Sequence, residues 1–302
     1  MTITTGNHPK ALWPGIHAWF GASYDEHPTE YTDIFDVKSS KQNYEEDVLV
    51  TGFGLAPVKN EGSSYSYDNE TQGYTKRYKH VPYGLGYIVT REELADNLYE
   101  KVSKQRSKRL AFSMRQTRET VGGNVLNRGF NSSYTGGDGV ELFAQTHPSL
   151  SGNWQNELTT AADLSEASLE DMLILIANAT NDRGLKIGLR GMKLIVPTAE
   201  MFEACRILES NLRVGSADND VNAIKKKGLL PGGYVVNHYL TDTDAWFVKT
   251  SAPNGMCWFD RESVEFKQDN DTDTDNAKSK SYMRFSVGWT DPRGMYGSEG
   301  AA

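Results

Sequence analysis

Cysteine and long apolar runs are both scarce in this chain. Cys205 and Cys257 are the 2 cysteines among 302 residues, and they lie far apart without C-x-x-C spacing. This usage favours two buried, reduced thiols over a disulfide or a metal pair, as is typical of a reducing cytoplasm. The longest apolar run, residues 172–177, is far shorter than the roughly 20 residues of a membrane span. With no basic segment followed by an apolar stretch near residue 1, the sequence predicts neither export nor membrane insertion.

Positive charge is also in short supply. The chain has 32 Lys and Arg against 40 Asp and Glu, so its formal net charge is -8. That balance argues against a protein whose main task is to grip nucleic-acid phosphates. The hydrophobic content of 38% is that of an ordinary globular protein with a sizeable core.

Motifs of enzymes and nucleotide-binding proteins are missing or incomplete. The segment Gly84-Leu-Gly86 lies between a strand and a helix, but Val89 occupies the third glycine position of a dinucleotide-binding turn. The run from Gly52 to Lys59 lacks the Gly-Lys-Ser/Thr of a phosphate loop. The 6 histidines form no H-E-x-x-H, and no serine stands in G-x-S-x-G. We therefore expect no catalytic site and no bound cofactor.

One acidic run is the best candidate for a metal site. Asp269, Asp271, Asp273 and Asp275 alternate with Asn and Thr, and such carboxylates can converge on calcium. Read from Asp271, however, the EF-hand glycine and glutamate positions hold Asn and Tyr, so that match fails. A solvated loop between strands is the favoured interpretation, and a calcium-dependent binding module remains an alternative.

The first part of the chain is rich in aromatic residues and predicts an arm followed by a hairpin. Residues 1–47 show no sustained period, which indicates an irregular arm that packs through its aromatics, against another subunit in one interpretation. Residues 48–59 and 74–89 have strand-like composition. The polar stretch 60–73 between them has tyrosines but no aliphatic side chain, so it is poorly suited to a core of its own.

A very long helix is predicted next. Thr90-Arg-Glu-Glu93 forms a capping box, and apolar residues then recur at helical spacing as far as residue 125. A helix over residues 90–130 would be about 55–60 Å long. Its early residues are acidic and its later ones basic, as the helix dipole favours. Gly122 and Gly123 are the weak point, at roughly 1 kcal/mol each relative to alanine.

The remainder mixes helices and strands without a βαβ rhythm, which predicts an α+β fold. Apolar periodicity indicates helices at 166–180 and 198–209. Pro197 should end the strand that precedes the second of these helices. The predicted strands are 140–143, 192–196, 234–240, 245–249, 256–259, 262–267 and 281–289.

The aromatic arm, the long hairpin, the capped long helix and the mixed α+β remainder together resemble the tailed-bacteriophage major capsid protein family of the Hong Kong ninety-seven type. Four local strings, in their order and spacing, resemble those of the phage head proteins that include the Mu-like subunits. They are Tyr87-Ile-Val-Thr-Arg-Glu-Glu93, Gly137-Asp-Gly139 with Leu142-Phe143 and His147-Pro148, Leu194-Ile-Val-Pro197, and Gly288-Trp-Thr-Asp-Pro-Arg-Gly294. The layout is similar to that of Mu-like major head subunits, and the resemblance covers nearly the whole chain. It implies an N-terminal arm (1–47), an extended β-hairpin loop (48–89), a peripheral domain with a spine helix (90–145), an axial domain (146–248) and a return to the peripheral sheet (249–302).

The resemblance also implies a function. Subunits of the family tile as hexamers and pentamers into an icosahedral shell that encloses double-stranded DNA, contacted non-specifically. The implied location is the virion capsid, assembled in the host bacterial cytoplasm, and the implied partners are a portal, a separate scaffold and decoration proteins. An encapsulin-like nanocompartment shell is the main alternative.

Seven residues are candidates for contacts between subunits. Four lie in the hairpin, where aromatic rings and a cation suit a wet interface. Three lie on the basic part of the long helix, where a solvated face or a subunit interface is favoured over DNA binding. They are Tyr65, Tyr67, Tyr74, Arg77, Arg109, Arg115 and Arg118.

Overall fold

The computed structural model describes residues 13–95, 99–212, 220–271, 274 and 276–301. Helices and strands are mixed along the chain, which confirms the α+β prediction. The helices are α1 Trp13–Asp25, α2 Tyr31–Ile34, α3 Arg91–Ala95, α4 Tyr99–Asn127, α5 Glu166–Ala177, α6 Met201–Glu209 and α7 Ala223–Lys227. The strands are β1 Asp36–Ser39, β2 Tyr44–Val50, β3 Gln72–Lys79, β4 Val81–Val89, β5 Gly191–Val196, β6 Tyr234–Val236, β7 Trp246–Thr250, β8 Met256–Asn270, β9 Ala277–Trp289 and β10 Met295–Ser298.

The first sheet has the order β1-β8-β9-β4, with β8 and β9 forming a long antiparallel hairpin. Alternate residues of β9 are buried, because one face of the sheet lies against α1 and α4. Phe266, Met283 and Phe285 form the core there, together with Phe20 and Trp258. On the opposite face, Cys257 and Phe259 pack with Tyr78, and exposed charged side chains such as Glu265 and Lys280 lie further along the hairpin.

The helix α4 is the long axis of this half of the molecule. It has 29 residues and is about 43 Å long. Gly122 and Gly123 do not end it, contrary to what their low helix propensity suggested. A Cβ at Gly123 would lie 2.8 Å from the Cβ of Tyr239, and one at Gly122 would lie 3.2 Å from the Cβ of Tyr31. The glycines therefore permit close approach of other segments to the helix.

The predicted capping box is only half formed. The Glu93 amide donates to the Thr90 hydroxyl at 3.4 Å. The Glu93 carboxylate instead accepts from the Arg106 guanidinium, with N···O distances of 2.6 and 3.1 Å. An ion pair with a later turn replaces the return hydrogen bond, because a guanidinium offers the carboxylate two donors at once. Residues 96–98, between α3 and α4, lie outside the described part of the chain.

The second sheet has the order β10-β7-β5-β6, in which β6 runs parallel to β5. Helix α5 covers it through Leu169, Met172 and Ile176, which are fully buried at helical spacing. Ser165 caps α5 by accepting from the Ser168 amide. As predicted, β5 ends before Pro197, and a 3-10 turn then leads into α6.

The segment before β2 is more regular than the sequence suggested. Residues 1–12 lie outside the described part, but α1 is a 13-residue helix rather than an irregular arm. Phe20 packs on the chain's own sheet, with the Phe20 and Phe266 rings 4.8 Å apart. Strand β1 then pairs in parallel with β8. Burial of aromatics on α4 and β8 orders a segment that has no clear period.

The hairpin prediction was correct in kind but wrong in its boundaries. Strand β2 begins before the predicted run and ends at Val50, because Gly52, Gly54 and Pro57 interrupt the pattern. The second predicted run, 74–89, is two strands: β3 pairs with β2, whereas β4 pairs with β9 in the first sheet. His80 lies between them.

Three further strand predictions need correction. Residues 140–143 form a loop rather than a strand, and their backbone at Phe143 bonds to Gly129 instead of to a sheet. The runs 256–259 and 262–267 belong to a single strand, β8, whose pairing with β9 shifts register between Asp260 and Glu265. The short strand β10, which pairs with β7, was not predicted.

Candidate subunit interface

Residues 51–71, here called the loop segment, project from the end of the β2–β3 ribbon. Thr51 and Thr71 close its base: the Thr51 amide donates to the Thr71 carbonyl at 3.0 Å, and the Thr71 amide donates to the Thr51 hydroxyl at 3.0 Å. Beyond that point the segment forms no strand. Its large side chains are exposed, namely Phe53 56%, Leu55 82%, Val58 92%, Tyr65 71% and Tyr67 91%.

The loop segment has internal contacts that give it a definite shape. The Gly54 amide donates to Asp68 at 2.7 Å, and this bond, with that of the Asn69 amide, lowers the pKa of the Asp68 carboxyl. The Lys59 ammonium lies 5.0 Å from the Tyr65 ring centroid. Arg183, which follows α5, donates to the Asn69 carbonyl at 2.7 Å. The segment is therefore tied to the surface of the second half of the molecule.

Phe53, Leu55 and Val58 were not among the predicted interface residues. All three fall within the predicted strand 48–59, where alternate residues would be half-buried. The signal that identifies them is the spacing of Gly52, Gly54 and Pro57, which breaks any ladder through this run. Once the strand ends at Val50, these apolar residues have no sheet to pack against.

Tyr74 lies inside the subunit and holds the base of the ribbon. Its hydroxyl donates to the Thr290 carbonyl at 3.0 Å. The neighbouring Tyr78 hydroxyl lies 2.6 Å from the Thr290 hydroxyl, which donates to Asp47 at 2.8 Å. Burial raises the pKa of both tyrosines well above the usual range, so both remain neutral donors.

Arg77 lies on the exposed surface of the ribbon. Its guanidinium pairs with Glu46 on β2 at 2.5 Å and lies 4.5 Å from the Tyr44 ring centroid. The bond to Glu46 raises the pKa of the guanidinium further above its ordinary value. The side chain is 62% exposed, so it is available to a second protein.

Of the three predicted cations of the spine, Arg118 is the most deeply engaged within the chain. Its guanidinium donates to both oxygens of Asp260, at 2.6 and 2.7 Å. Its charge lies 5.0 Å from the Tyr31 ring centroid and 5.2 Å from that of Trp258. Both bonds come from one guanidinium nitrogen, Nη2, and this charge-assisted pair fixes α4 to β8.

Arg115 is buried as well and engages the segment before α2. It donates to the His27 carbonyl at 3.0 Å and lies 3.7 Å from Glu119. Glu119 accepts from the Tyr31 amide at 2.9 Å, although burial raises the pKa of its carboxyl. Arg115 and Arg118, here called the arginine cluster, thus hold the N-terminal segment on the spine, and only Arg109 of the three is exposed to solvent.

Two of the strings that carried the resemblance meet in one buried polar network. His147 Nδ1 lies 2.7 Å from Asp138, and its Nε2 lies 3.0 Å from the Asn156 side chain. The side-chain amide nitrogen of Asn156 donates to the Pro292 and Met295 carbonyls. The His147 side chain is fully buried and joins residues 137–139 to the C-terminal string through Asn156.

Arg293 extends that network to the loop after α5. It pairs with Asp182 at 2.9 Å and with Asp291 at 3.3 Å, and its charge lies 4.3 Å from the Trp154 ring centroid. Burial raises the pKa of Asp291, against the opposing effect of Arg293. The Gly288–Gly294 string is therefore a structural junction between the two sheets.

The acidic run after β8 is only partly described. Residues 272, 273 and 275 lie outside the described part, whereas Asp271 pairs with Lys278 at 2.6 Å. Among described residues, no three His, Cys, Asp or Glu side chains are arranged to hold a metal ion. In the same part of the chain no helix is long and apolar enough to span a bilayer. Both cysteines are free, Cys257 buried and Cys205 half-buried.

Comparison with known proteins assigns the family. A family model described as phage capsid protein matches residues 73–298, which is well over half of the chain. The chain belongs to the phage capsid protein family. Curated protein sequences include no significant match to this capsid protein.

Solved structures share the fold of this capsid protein at low sequence identity. The virus-like particle from Pyrococcus furiosus superposes with a TM-score of 0.55 and 11% identity, over 94% of this chain and 97% of that one. Mycobacterium phage Che8 gives a TM-score of 0.52 and 15% identity, over 89% and 90%. The capsid of the native GTA particle superposes with a TM-score of 0.56 and 9% identity, over 91% of this chain and 92% of that one. These likenesses confirm the predicted fold.

Proposed function

We propose that this capsid protein is the major head subunit of a tailed bacteriophage, which assembles into an icosahedral shell around double-stranded DNA. The observation that carries the proposal is the loop segment. It exposes large apolar side chains on a ribbon with no cover among the described residues. An exposed apolar surface of this kind marks a site of association.

The energetics suit a shell built from many weak contacts. Burial of an exposed Val, Leu or Phe side chain contributes roughly 1.5–3 kcal/mol. Leu55 and Val58 are each more than four-fifths exposed, so a neighbour that covers both gains a few kcal/mol. Each contact is then modest enough to form reversibly, while a closed shell repeats it in every subunit.

The seven predicted contact residues divide into two groups under this proposal. Tyr65, Tyr67, Arg77 and Arg109 are exposed and contact neighbouring subunits in hexamers and pentamers. The other three act indirectly: Tyr74 holds the ribbon, and the arginine cluster holds the N-terminal segment.

The proposed domains follow the layout of the family. The extended loop (48–89) is the assembly element through its β2–β3 ribbon and loop segment, since β4 belongs to the first sheet. The axial domain (146–248) supplies β5, β6 and most of β7 to the second sheet, and the C-terminal return supplies β10. The portal, a separate scaffold and decoration proteins are proposed partners, with assembly in the host cytoplasm. The proposed role is purely structural, and the net charge of -8 is compatible with loose, non-specific contact with packaged DNA.

The test measures particle formation by the purified protein, with and without the scaffold of its phage. Light scattering after size exclusion and negative-stain electron microscopy should reveal shells, rings or tubes. The double variant Leu55→Ser, Val58→Ser should remain folded but form no particles. The control variant Ile174→Ser, at an exposed position on α5, should remain folded and form particles as the wild type does. A compact monomer under every condition contradicts the proposal.

A second candidate is an encapsulin-like nanocompartment shell. The observation that favours this second candidate is the fold shared with the Pyrococcus furiosus virus-like particle, over 97% of that chain. The contents of native particles separate the two: a phage head contains nuclease-protected double-stranded DNA, whereas a nanocompartment contains a protein cargo. Absorbance ratios and mass spectrometry of purified particles measure both.

A further inference from the structure

A surface pocket of about 450 Å³ lies where the end of α4 meets the base of the ribbon. Its walls are largely apolar or aromatic and come from α4, β4 and β9. Lys76 on β3 and Arg128, just after α4, contribute the cations. The apolar and aromatic lining includes Tyr83, Val121, Val125, Val287 and Trp289.

The charge of this pocket is unusual for a chain with a net charge of -8. Its lining residues include two cations and no carboxylate. Lys76 donates to the Thr135 carbonyl at 3.2 Å and lies 5.1 Å from the Trp289 ring centroid, and burial lowers the pKa of its ammonium. Arg128 lies 4.7 Å from the Tyr134 ring centroid. Asp138 opposes the shift of the Lys76 pKa, but its carboxylate is engaged by His147. Neither cation has a carboxylate within ion-pair distance among the described residues, so both can receive one from outside.

The loop segment has complementary chemistry. It contains one lysine and three acidic residues, a net charge of -2, and its apolar side chains are exposed. Asp68 is held by the Gly54 amide, and Glu70 adjoins the base closed by Thr51 and Thr71. Glu61 stands instead in the turn at the far end, where the Ser63 amide donates to the Asn60 carbonyl and Gly62 has a φ of 78°. It forms no ion pair within the part of the chain that the structure describes.

We infer that this pocket receives the tip of the loop segment of a second copy of the chain, with the Glu61 carboxylate between Lys76 and Arg128. Apolar residues near Glu61 pack against Val121 and Val287, and the ion pairs set the register. The inference rests on the proposed function and names the surface on the neighbour that the loop segment covers. A pair of cations beside apolar walls selects a carboxylate on a short apolar segment.

Chemical crosslinking tests the contact directly. Two populations are prepared in a Cys205→Ser background, one with Ser63→Cys in the loop segment and one with Asn124→Cys in the pocket. After co-assembly, a short bismaleimide should give a covalent dimer that contains one chain of each kind. Because each chain carries one accessible cysteine, the dimer cannot arise within a chain. The matched control uses Ile174→Cys in place of Asn124→Cys, because Ile174 is an exposed residue of α5 that lies outside the pocket.

Charge reversal supplies an independent test. Arg128→Glu should raise the concentration needed for assembly on the order of tenfold. The double variant Arg128→Glu, Glu61→Arg should assemble at the wild-type concentration. Lys108→Glu, at an exposed cation on α4, should have little effect. Arg128 is exposed, so these variants fold, and circular dichroism checks this.

The outcomes separate this inference from the proposed function. Crosslinked dimers above the control level and charge-swap rescue support it. Normal shells without the crosslink overturn the pocket assignment and leave the proposed function intact. Arg128→Glu shells that assemble normally but lose their DNA also overturn it, in favour of a phosphate contact. If wild-type protein forms no assembly of any kind, the proposed function and the inference both fail.

Discussion

The loop segment and the arginine cluster reverse the ordinary distribution of side chains. The loop segment leaves Leu55 and Val58 in solvent, whereas the cluster buries the guanidinium groups of Arg115 and Arg118. The two buried cations are matched by carboxylates, aromatic rings and a carbonyl of the same chain. The apolar residues have no such match. The cluster therefore stabilises one subunit, and the loop segment stabilises an assembly. Four changes test this contrast, in descending order of their expected effect on subunit stability.

Removal of the buried guanidinium should have the largest effect. Arg118→Met leaves the Asp260 carboxylate without its guanidinium partner, and loss of one member of a buried ion pair costs about 3–5 kcal/mol. Urea denaturation followed by circular dichroism measures the change. Arg109→Met, at an exposed cation on the same helix, is the control and should change the free energy of unfolding by about 0.5 kcal/mol or less. Equal effects would show that Arg118 does not stabilise the fold through burial.

A methyl group on the spine should come next. Gly123→Ala places its Cβ 2.8 Å from the Tyr239 Cβ and 3.0 Å from its carbonyl oxygen. We expect a loss of about 1–3 kcal/mol, since overpacking outweighs the better helix propensity of alanine. Gly21→Ala in α1, where no atom lies within 4 Å, should instead gain up to about 1 kcal/mol. Thermal melting of both variants measures the difference, and a gain at position 123 would contradict the close approach.

Acidification should lower the free energy of unfolding through His80, which lies between β3 and β4. His80 is buried, with Nε2 3.1 Å from the Ser40 hydroxyl and Nδ1 3.0 Å from that of Ser286. Burial, and then Arg284, lower its pKa below 6.5, whereas Glu45 opposes the shift. The unfolded chain therefore binds the proton more readily than the folded one. Stability from neutral His80 is present above pH 6.5 and is lost as the pH falls through the lowered pKa.

The variant His80→Gln tests this pH dependence. The amide keeps a donor and an acceptor but does not titrate in this range. Unfolding free energies of the variant should therefore fall less than those of wild type between about pH 7 and about pH 5. Parallel curves for the two proteins would exclude a role for His80 in acid sensitivity.

Shortening the loop segment should affect subunit stability least and assembly most. Replacement of residues 53–70 with Asn-Gly keeps the closing pair of Thr51 and Thr71 and removes exposed side chains. Within the subunit the deletion removes surface interactions, chiefly those of Arg183 with Asp68 and Asn69. We expect near-unchanged melting and no shells, measured by circular dichroism and electron microscopy. Shells of normal size and yield would remove the loop segment from the assembly contacts.

Elements with a strong local signal were predicted well. Helix α5 and strand β5 have clear apolar patterns, and Pro197 ends the strand. The hairpin boundaries failed because Val, Tyr and Thr occur on both sides of His80, so composition does not show where one sheet ends and another begins. Helix α1 was missed because its order depends on rings of β8 that lie more than 200 residues away in sequence.

The predicted interface shows the same division. Tyr65, Tyr67, Arg77 and Arg109 are exposed, as a contact role requires. Tyr74, Arg115 and Arg118 have the same side-chain types, yet each has its partners within the chain. Residue type indicates which interactions a side chain can form, but it does not reveal the partner.

Residue order along the chain was enough to establish the acidic balance, the scarcity of cysteine, the α+β mixture and the series of strings that resembles the capsid family. These properties depend on composition or on residues that are neighbours in the chain. Three-dimensional packing was needed to show that the arginine cluster lies inside, that Phe53, Leu55 and Val58 lie outside, and that His147 joins two distant strings. Burial and ion pairing depend on distances between segments, and the order of residues along one segment does not specify those distances.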